Sequence, residues 1–147
     1  MEIDPIVLSY LAGIIDGEGS IFIHQNNKRQ TKANYTLYLS CKMAVPGEAI
    51  VLLSQTFGGN ITHPKLYSTF DRNNRKLTVS WRSTGERAAE ALTLMLPYLR
   101  VKKAEAELGL EFLAAKVNSV GRQAVSEEEI TKREDFCKRM QDLKYSG

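Results

Sequence analysis

Residues 35–43 read Tyr-Thr-Leu-Tyr-Leu-Ser-Cys-Lys-Met, a strict alternation. Tyr35, Leu37, Leu39, Cys41 and Met43 fall on one side, and Thr36, Tyr38, Ser40 and Lys42 on the other. Successive side chains of a strand point to opposite faces, so this segment predicts a strand with one buried and one open face. Such a strand needs hydrogen-bonded neighbours and an apolar layer over one face only. Ser20–His24 reads as the preceding strand, joined to it through a polar hairpin tip at 26–30. A second pair follows, Asn60–Tyr67 and Lys76–Arg82, with a turn at 71–74. In it Leu77, Val79 and Trp81 alternate with Thr78, Ser80 and Arg82. Two hairpins of this type predict one four-stranded antiparallel sheet.

The covering layer is helical. Asp4 can cap a helix whose first residue is Pro5, and apolar residues then run through Ile15 until Gly17 and Gly19 end it. This segment is apolar nearly all round, which predicts a buried helix. A second helix runs from Pro46-Gly47-Glu48 to Thr56. A third follows Thr84-Gly85-Glu86 and is broken by Pro97, and a fourth spans about Lys102 to Ala115. Lys116–Gln123 reads as a linker, and Ser126 with Glu129 forms a capping box for a last helix to about Leu143. The order α-ββ-α-ββ-α-α-α predicts an α+β fold with helices on one face of the sheet and a polar, basic face on the other. The expected division is a core at 1–116, then a linker and C-terminal helix at 117–147.

Composition excludes several classes. With 147 residues, 43% of them hydrophobic and 25% charged, the chain can build a real core and is not low-complexity. No run approaches the roughly 18 consecutive apolar residues of a membrane span. Glu2 and Asp4 stand where a signal peptide carries basic residues, so the expected location is intracellular, cytoplasmic or organellar, and not secreted. Cys41 and Cys137 make neither a disulfide framework nor, with His24 and His63, a zinc site. The net charge is only +3, but it is unevenly placed. Residues 1–20 hold four carboxylates and no Lys or Arg, residues 21–82 hold nine basic against two acidic residues, and residues 83–147 hold eleven of each. A basic middle third, on the segments that form the sheet, hints at nucleic acid.

The segment Leu11-Ala12-Gly13-Ile14-Ile15-Asp16-Gly17-Glu18-Gly19 resembles the signature of the LAGLIDADG homing endonucleases. Phe57-Gly58-Gly59, Leu96-Pro97-Tyr98-Leu99 followed by Lys102, and the Glu/Arg-rich final helix resemble the family in the expected order. The resemblance thus covers almost the whole chain. It implies an αββαββα fold, with a saddle-shaped antiparallel sheet lying in the major groove of double-stranded DNA. Family members with one copy of the motif form homodimers, so it also implies a homodimer on a pseudo-palindromic site. The activity implied is that of an intron- or intein-encoded, site-specific double-strand endonuclease dependent on Mg²⁺. Some relatives are RNA-binding maturases or have lost cleavage, which leaves a pure binding module as the alternative.

The site residues follow partly from chemistry and partly from the resemblance. Gly13 and Gly17 are four apart and share a helix face, flanked by Ala12 and Asp16. Glycine inside a helix costs roughly 1 kcal/mol, so a packing reason is expected. The four residues make a candidate dimer interface, with a buried helix inside one domain as the bland alternative. By resemblance Glu18 is the metal ligand, with the Gly17 carbonyl secondary, and Asp16 has a structural role. Lys102 is the basic residue beside the scissile phosphate. A polar residue, commonly Gln, lines this pocket at the end of the second strand in relatives. Counting back from Phe57-Gly58 places Lys42 there and the apolar alternation places Met43, and Lys42 is preferred.

The predicted DNA face comprises Ser20, Phe22, His24, Asn26, Thr36, Tyr38, Ser40 and Lys42 on the first hairpin, with Lys28, Arg29, Gln30 and Lys32 at its tip. On the second it comprises Thr62, Thr78, Ser80 and Arg82, with Lys65, Arg72, Asn74, Arg75 and Lys76 around the tip. These types suit major-groove reading and phosphate contact. His24 is expected to meet bases or solvent rather than act in catalysis, and Trp81 to lie in the core.

Overall fold

The computed structural model describes residues 2–25, 34–63, 77–116 and 126–145. The chain begins with helix α1 (Pro5–Glu18), then strands β1 (Gly19–Gln25) and β2 (Tyr35–Ala44), helix α2 (Glu48–Phe57), and strands β3 (Asn60–Thr62) and β4 (Thr78–Thr84). Helix α3 (Gly85–Met95) runs into a 3₁₀ turn at Leu96–Tyr98, and α4 (Lys103–Ala115) and α5 (Glu127–Tyr145) complete it. The element order is the one the periodicity predicts. Pro97 does not stop the third helix outright but lies in the 3₁₀ turn that ends it. Of the predicted strand at 60–67, β3 accounts for three residues, and positions 64–67 lie outside the described residues.

The four strands form one antiparallel sheet in the order β1-β2-β4-β3. The second strand of each hairpin is therefore central, and the hairpins join through β2 and β4, with Cys41 opposite Trp81 and Lys42 opposite Ser80. Alternation holds across the whole sheet. Ile21 and Ile23, then Leu37, Leu39 and Cys41, then Val79 and Trp81 are buried on the helical side. Leu8, Leu11 and Ile15 of α1, Leu92 and Met95 of α3, Phe112 of α4, and Phe136 and Met140 of α5 close the same apolar cluster. Each such side chain stabilises the fold by about 1.5–3 kcal/mol when taken fully out of water. Trp81 is fully buried, as expected, and donates its indole N–H to the Gly58 carbonyl at 2.7 Å. Gly59 beside it has φ +92°, and a Cβ there would stand 2.7 Å from the Trp81 ring nitrogen, so the Gly-Gly pair after α2 is what lets the chain pass the indole.

Helix α1 differs from its expected enclosure. Asp4 caps it, accepting from the Ile6 N–H at 2.9 Å, and Leu8, Leu11, Ala12 and Ile15 face the core. Its other side, along Ile6, Tyr10, Gly13 and Gly17, is at the surface, with Ile6 77% exposed. The apolar content therefore serves two stripes, of which one is covered by this chain. Helix α5 packs on α4 and along the outer edge of β1, where the Cys137 thiol donates to the Ile23 carbonyl at 3.2 Å. Ser126 accepts from the Glu129 N–H at 3.2 Å, one half of a capping box. The Glu129 carboxylate meets Arg133 at 3.0 Å and Lys132 at 2.6 Å.

Candidate functional site

Helix α1 ends at one end of the sheet, and its last turn meets the segment that starts α4. Asp16 makes that junction. Its Oδ2 accepts from the Arg100 N–H at 2.9 Å, and its Oδ1 accepts from the N–H groups of Val101 at 3.1 Å and Lys102 at 3.0 Å. The carboxylate thus serves as a side-chain cap for the approach to α4, contributed from about 85 residues away in sequence. Lys102 answers it, its ammonium donating to the Asp16 carbonyl at 2.7 Å. That carbonyl belongs to the last turn of α1, where the helix supplies no donor and the partial charge is negative.

Glu18 and Gly17 lie exposed in the same last turn. Beneath them is Cys41, paired across the strands with Gly19 and 1% exposed. Its thiol is pushed up to about 11, first by burial and then by the negative charge of Glu18, with the Lys102 ammonium opposing. Glu18 and Lys102 therefore act on one buried group from the same end of the sheet. Lys42 is the residue after Cys41 and is exposed on the open face, whereas Met43 is half-buried against the core. Between the two candidates left by the sequence, Lys42 is the one on the open face at this end.

One member of the four-residue interface needs correction. Ala12 is fully buried inside the chain and faces the core, not a partner. Asp16 is half-buried, and its carboxylate accepts from the backbone that leads into α4. Gly13 and Gly17 remain on the outer stripe, where a Cβ would meet nothing within 4 Å in this chain.

Ser20, Phe22, His24, Thr36, Tyr38, Ser40, Lys42, Thr78, Ser80 and Arg82 all lie on the face of the sheet away from the helices, and Thr62 is exposed on β3 opposite Ser80. Asn26, Lys28, Arg29, Gln30, Lys32, Lys65, Arg72, Asn74, Arg75 and Lys76 lie outside the described residues. Phe22 and Tyr38 stack at 5.0 Å between ring centroids, and the His24 ring sits edgewise to Tyr38 at 5.9 Å.

No protein-family model and no curated protein matches the sequence. Solved structures do match the fold. An archaeal intron-encoded homing endonuclease complexed with DNA, I-Vdi141I, superposes with a TM-score of 0.72 at 15% identity, covering 97% of this chain and 86% of that one. The homing endonuclease I-TnaI gives 0.60 at 13% identity, covering 99% of both chains. The LAGLIDADG homing endonuclease I-GzeII, in complex with its DNA target, gives 0.59 at 15% identity, covering 95% of this chain but 44% of that one. The chain has the LAGLIDADG homing-endonuclease fold.

On this homing-endonuclease scaffold the hard oxygen donors are the Glu18 carboxylate and the carbonyls ending α1. Among the described residues no three His, Cys, Asp or Glu side chains gather as a metal cluster. Glu18 is the exposed carboxylate in the last turn of α1. That donor set suits Mg²⁺, which keeps several waters and takes one or two carboxylates together with substrate phosphate oxygens.

Lys144 is a site residue that sequence reasoning missed. From the last turn of α5 it donates to Ser20 Oγ at 3.2 Å and lies 5.2 Å from the Phe22 ring centroid. Its ammonium pKa is lowered, chiefly by burial, with the Glu105 carboxylate opposing and the Lys102 charge adding to the fall. Lys144, Lys102, Glu105 and Ser20 line one cleft. A signal existed in the sequence: Phe136, Met140 and Lys144 are spaced by four, so the exposed Lys144 lies one turn beyond the buried stripe of α5, on the same side of the helix.

Proposed function

We propose that this protein is a homodimeric, site-specific double-strand DNA endonuclease that depends on Mg²⁺. The observation that carries the reading is the exposed Glu18 at the end of α1, with the Lys102 ammonium held on the carbonyl of Asp16, two residues earlier, at the edge of an open polar sheet. A binding protein gains nothing from a carboxylate beside phosphates, whereas metal-assisted hydrolysis uses one to hold its cation. The likeness in fold to I-Vdi141I and I-GzeII, both solved with DNA, supports duplex DNA as the partner. Assembly is supported by the exposed apolar stripe of α1 and by a chain that matches less than half of I-GzeII.

In this reading the open face enters the major groove, which leaves the end of α1 over the phosphate backbone. Glu18 and the Gly17 carbonyl hold the cation, and a second copy of the chain brings its own pair across the two-fold axis. A divalent cation held there would activate a water and neutralise charge on the phosphate. Lys102 donates to the phosphate oxygens as negative charge builds there, and its tie to Asp16 fixes its position beforehand. Lys42 adds a further positive charge from β2.

A plasmid library with randomised duplex inserts tests this directly. With Mg²⁺ the wild-type protein is expected to linearise plasmids that share one pseudo-palindromic sequence. Glu18→Gln is expected to bind that sequence with undiminished affinity and leave it uncut, and chelation of the cation should do the same. Cleavage by Glu18→Gln at the wild-type rate would remove Glu18 from the site. Sequence-specific binding without any cleavage by wild type would favour the binding-module alternative.

A further inference from the structure

Phe22 and Tyr38 face each other across β1 and β2, their rings parallel to within 1°. Each ring also carries a cation. The Arg82 guanidinium, from β4 on the far side of β2, lies 5.1 Å from the Tyr38 centroid. The Lys144 ammonium, from α5 outside β1, lies 5.2 Å from that of Phe22. The lateral order α5, β1, β2, β4 therefore makes one stack across the open face, of cation, ring, ring and cation. Each cation over a ring is attracted by the negative π face, and parallel rings at this separation are favourable too.

The stack decides what the surface can recognise. Both faces of the Phe22 ring are taken, one by Tyr38 and one by Lys144. A splayed base could stack there only by expelling a partner, which disfavours the platform mode used on single-stranded RNA. What Phe22 offers is its edge. Side chains on a strand stand roughly perpendicular to the sheet, so that hydrocarbon rim points away from it. The rim can neither donate nor accept a hydrogen bond. Against a guanine, adenine or cytosine edge it would strip water from polar groups and return nothing. The apolar group displayed in the major groove is the C5 methyl of thymine. We infer that Phe22, held upright between Tyr38 and Lys144, reads a thymine methyl in each half of the DNA site.

This rests on the duplex-DNA reading above and adds a specificity residue to it. The rim discriminates thymine by a methyl it can bury, and it therefore accepts 5-methylcytosine better than cytosine at the same base pair. Arg82 and Tyr38 act through Phe22 by fixing its ring.

The test uses the full-length protein and a duplex selected by it from a randomised library. Each thymine is replaced in turn by deoxyuridine, which lacks only the methyl, and affinity is read by fluorescence anisotropy. One position in each half-site is expected to lose about four-fold in affinity, the effect of one buried methyl. Phe22→Ala should erase that loss while other positions keep their preferences, and Phe22→Leu, which retains an apolar side chain, should keep part of it. At the same position, 5-methylcytosine should bind more tightly than cytosine. A scan with no uracil-sensitive position would overturn the inference, and so would a sensitive position that Phe22→Ala and Phe22→Leu leave unchanged. Tight binding of single-stranded poly-uridine RNA that is lost in Phe22→Ala would overturn it in favour of stacking. Failure to select any duplex would instead overturn the DNA reading, and this inference with it.

Discussion

Lys102 donates to Asp16 twice: its backbone N–H to the Asp16 carboxylate at 3.0 Å, and its ammonium to the Asp16 carbonyl at 2.7 Å. A residue in the last turn of α1 thus fixes the backbone that leads into α4 and holds the lysine. Asp16→Ala should remove three hydrogen bonds to a charged acceptor and destabilise the fold by about 2 kcal/mol. Urea unfolding would show a lower midpoint at unchanged slope. Cleavage is expected to fall further than DNA affinity, because the backbone that carries Lys102 is released. A variant with wild-type stability and wild-type cleavage would contradict this role.

Gly13 has room on its outer side, since a Cβ there meets nothing within 4 Å. Gly13→Leu should therefore leave the single chain folded, and should gain about 0.8 kcal/mol of helix propensity. In the proposed dimer the added side chain would separate helices that need close approach. Sedimentation velocity should show a dimer for wild type and a monomer for Gly13→Leu, with unchanged far-UV circular dichroism. A wild-type protein that sediments as a monomer with and without DNA would contradict the assembly.

The buried Cys41 thiol makes stability depend on alkaline pH. In the unfolded chain it ionises near 9, and in the folded chain only at about 11. The unfolded state loses this proton first. The stability conferred by the neutral thiol is therefore complete below pH 9 and is lost as pH rises toward 11. Thermal unfolding of wild type and Cys41→Ala should show a steeper alkaline decline for wild type, and the difference isolates Cys41 from Tyr35 and Cys137, which burial also raises. Glu18→Gln should leave the onset of the decline near pH 9 but make it smaller, because the Glu18 charge is the second cause of the rise in the folded chain.

The sheet was legible because its alternation carries face as well as strand identity. Tyr35 to Met43 separates core from open side residue by residue, and the same parity places Lys42 outward and Met43 inward. The start of α1 was legible from Asp4 and Pro5, whose chemistry admits few other roles. Which stripe of α1 faces the core was not. Both stripes are apolar or small, so hydrophobicity alone cannot assign Ala12 inward and Gly13 outward. Nor could local sequence pair Asp16 with the amides of residues 100–102, since that contact depends on where α3 and the 3₁₀ turn deliver the chain. Lys144 was missed because a lysine in the last turn of a polar helix reads as solvated, and only the path of α5 around β1 brings it to Ser20.

That path also bears on how the chain behaves among its own copies. A strand at the margin of a sheet presents unpaired amides and carbonyls, to which another chain's strand can add. On β1 the margin is covered by α5, with the Cys137 thiol occupying the Ile23 carbonyl. A chain that lost α5 would uncover Phe112 and β1 together, joining an apolar surface to a ready template for cross-chain pairing. The C-terminal helix thus covers an edge at which the sheet could otherwise extend into a neighbour.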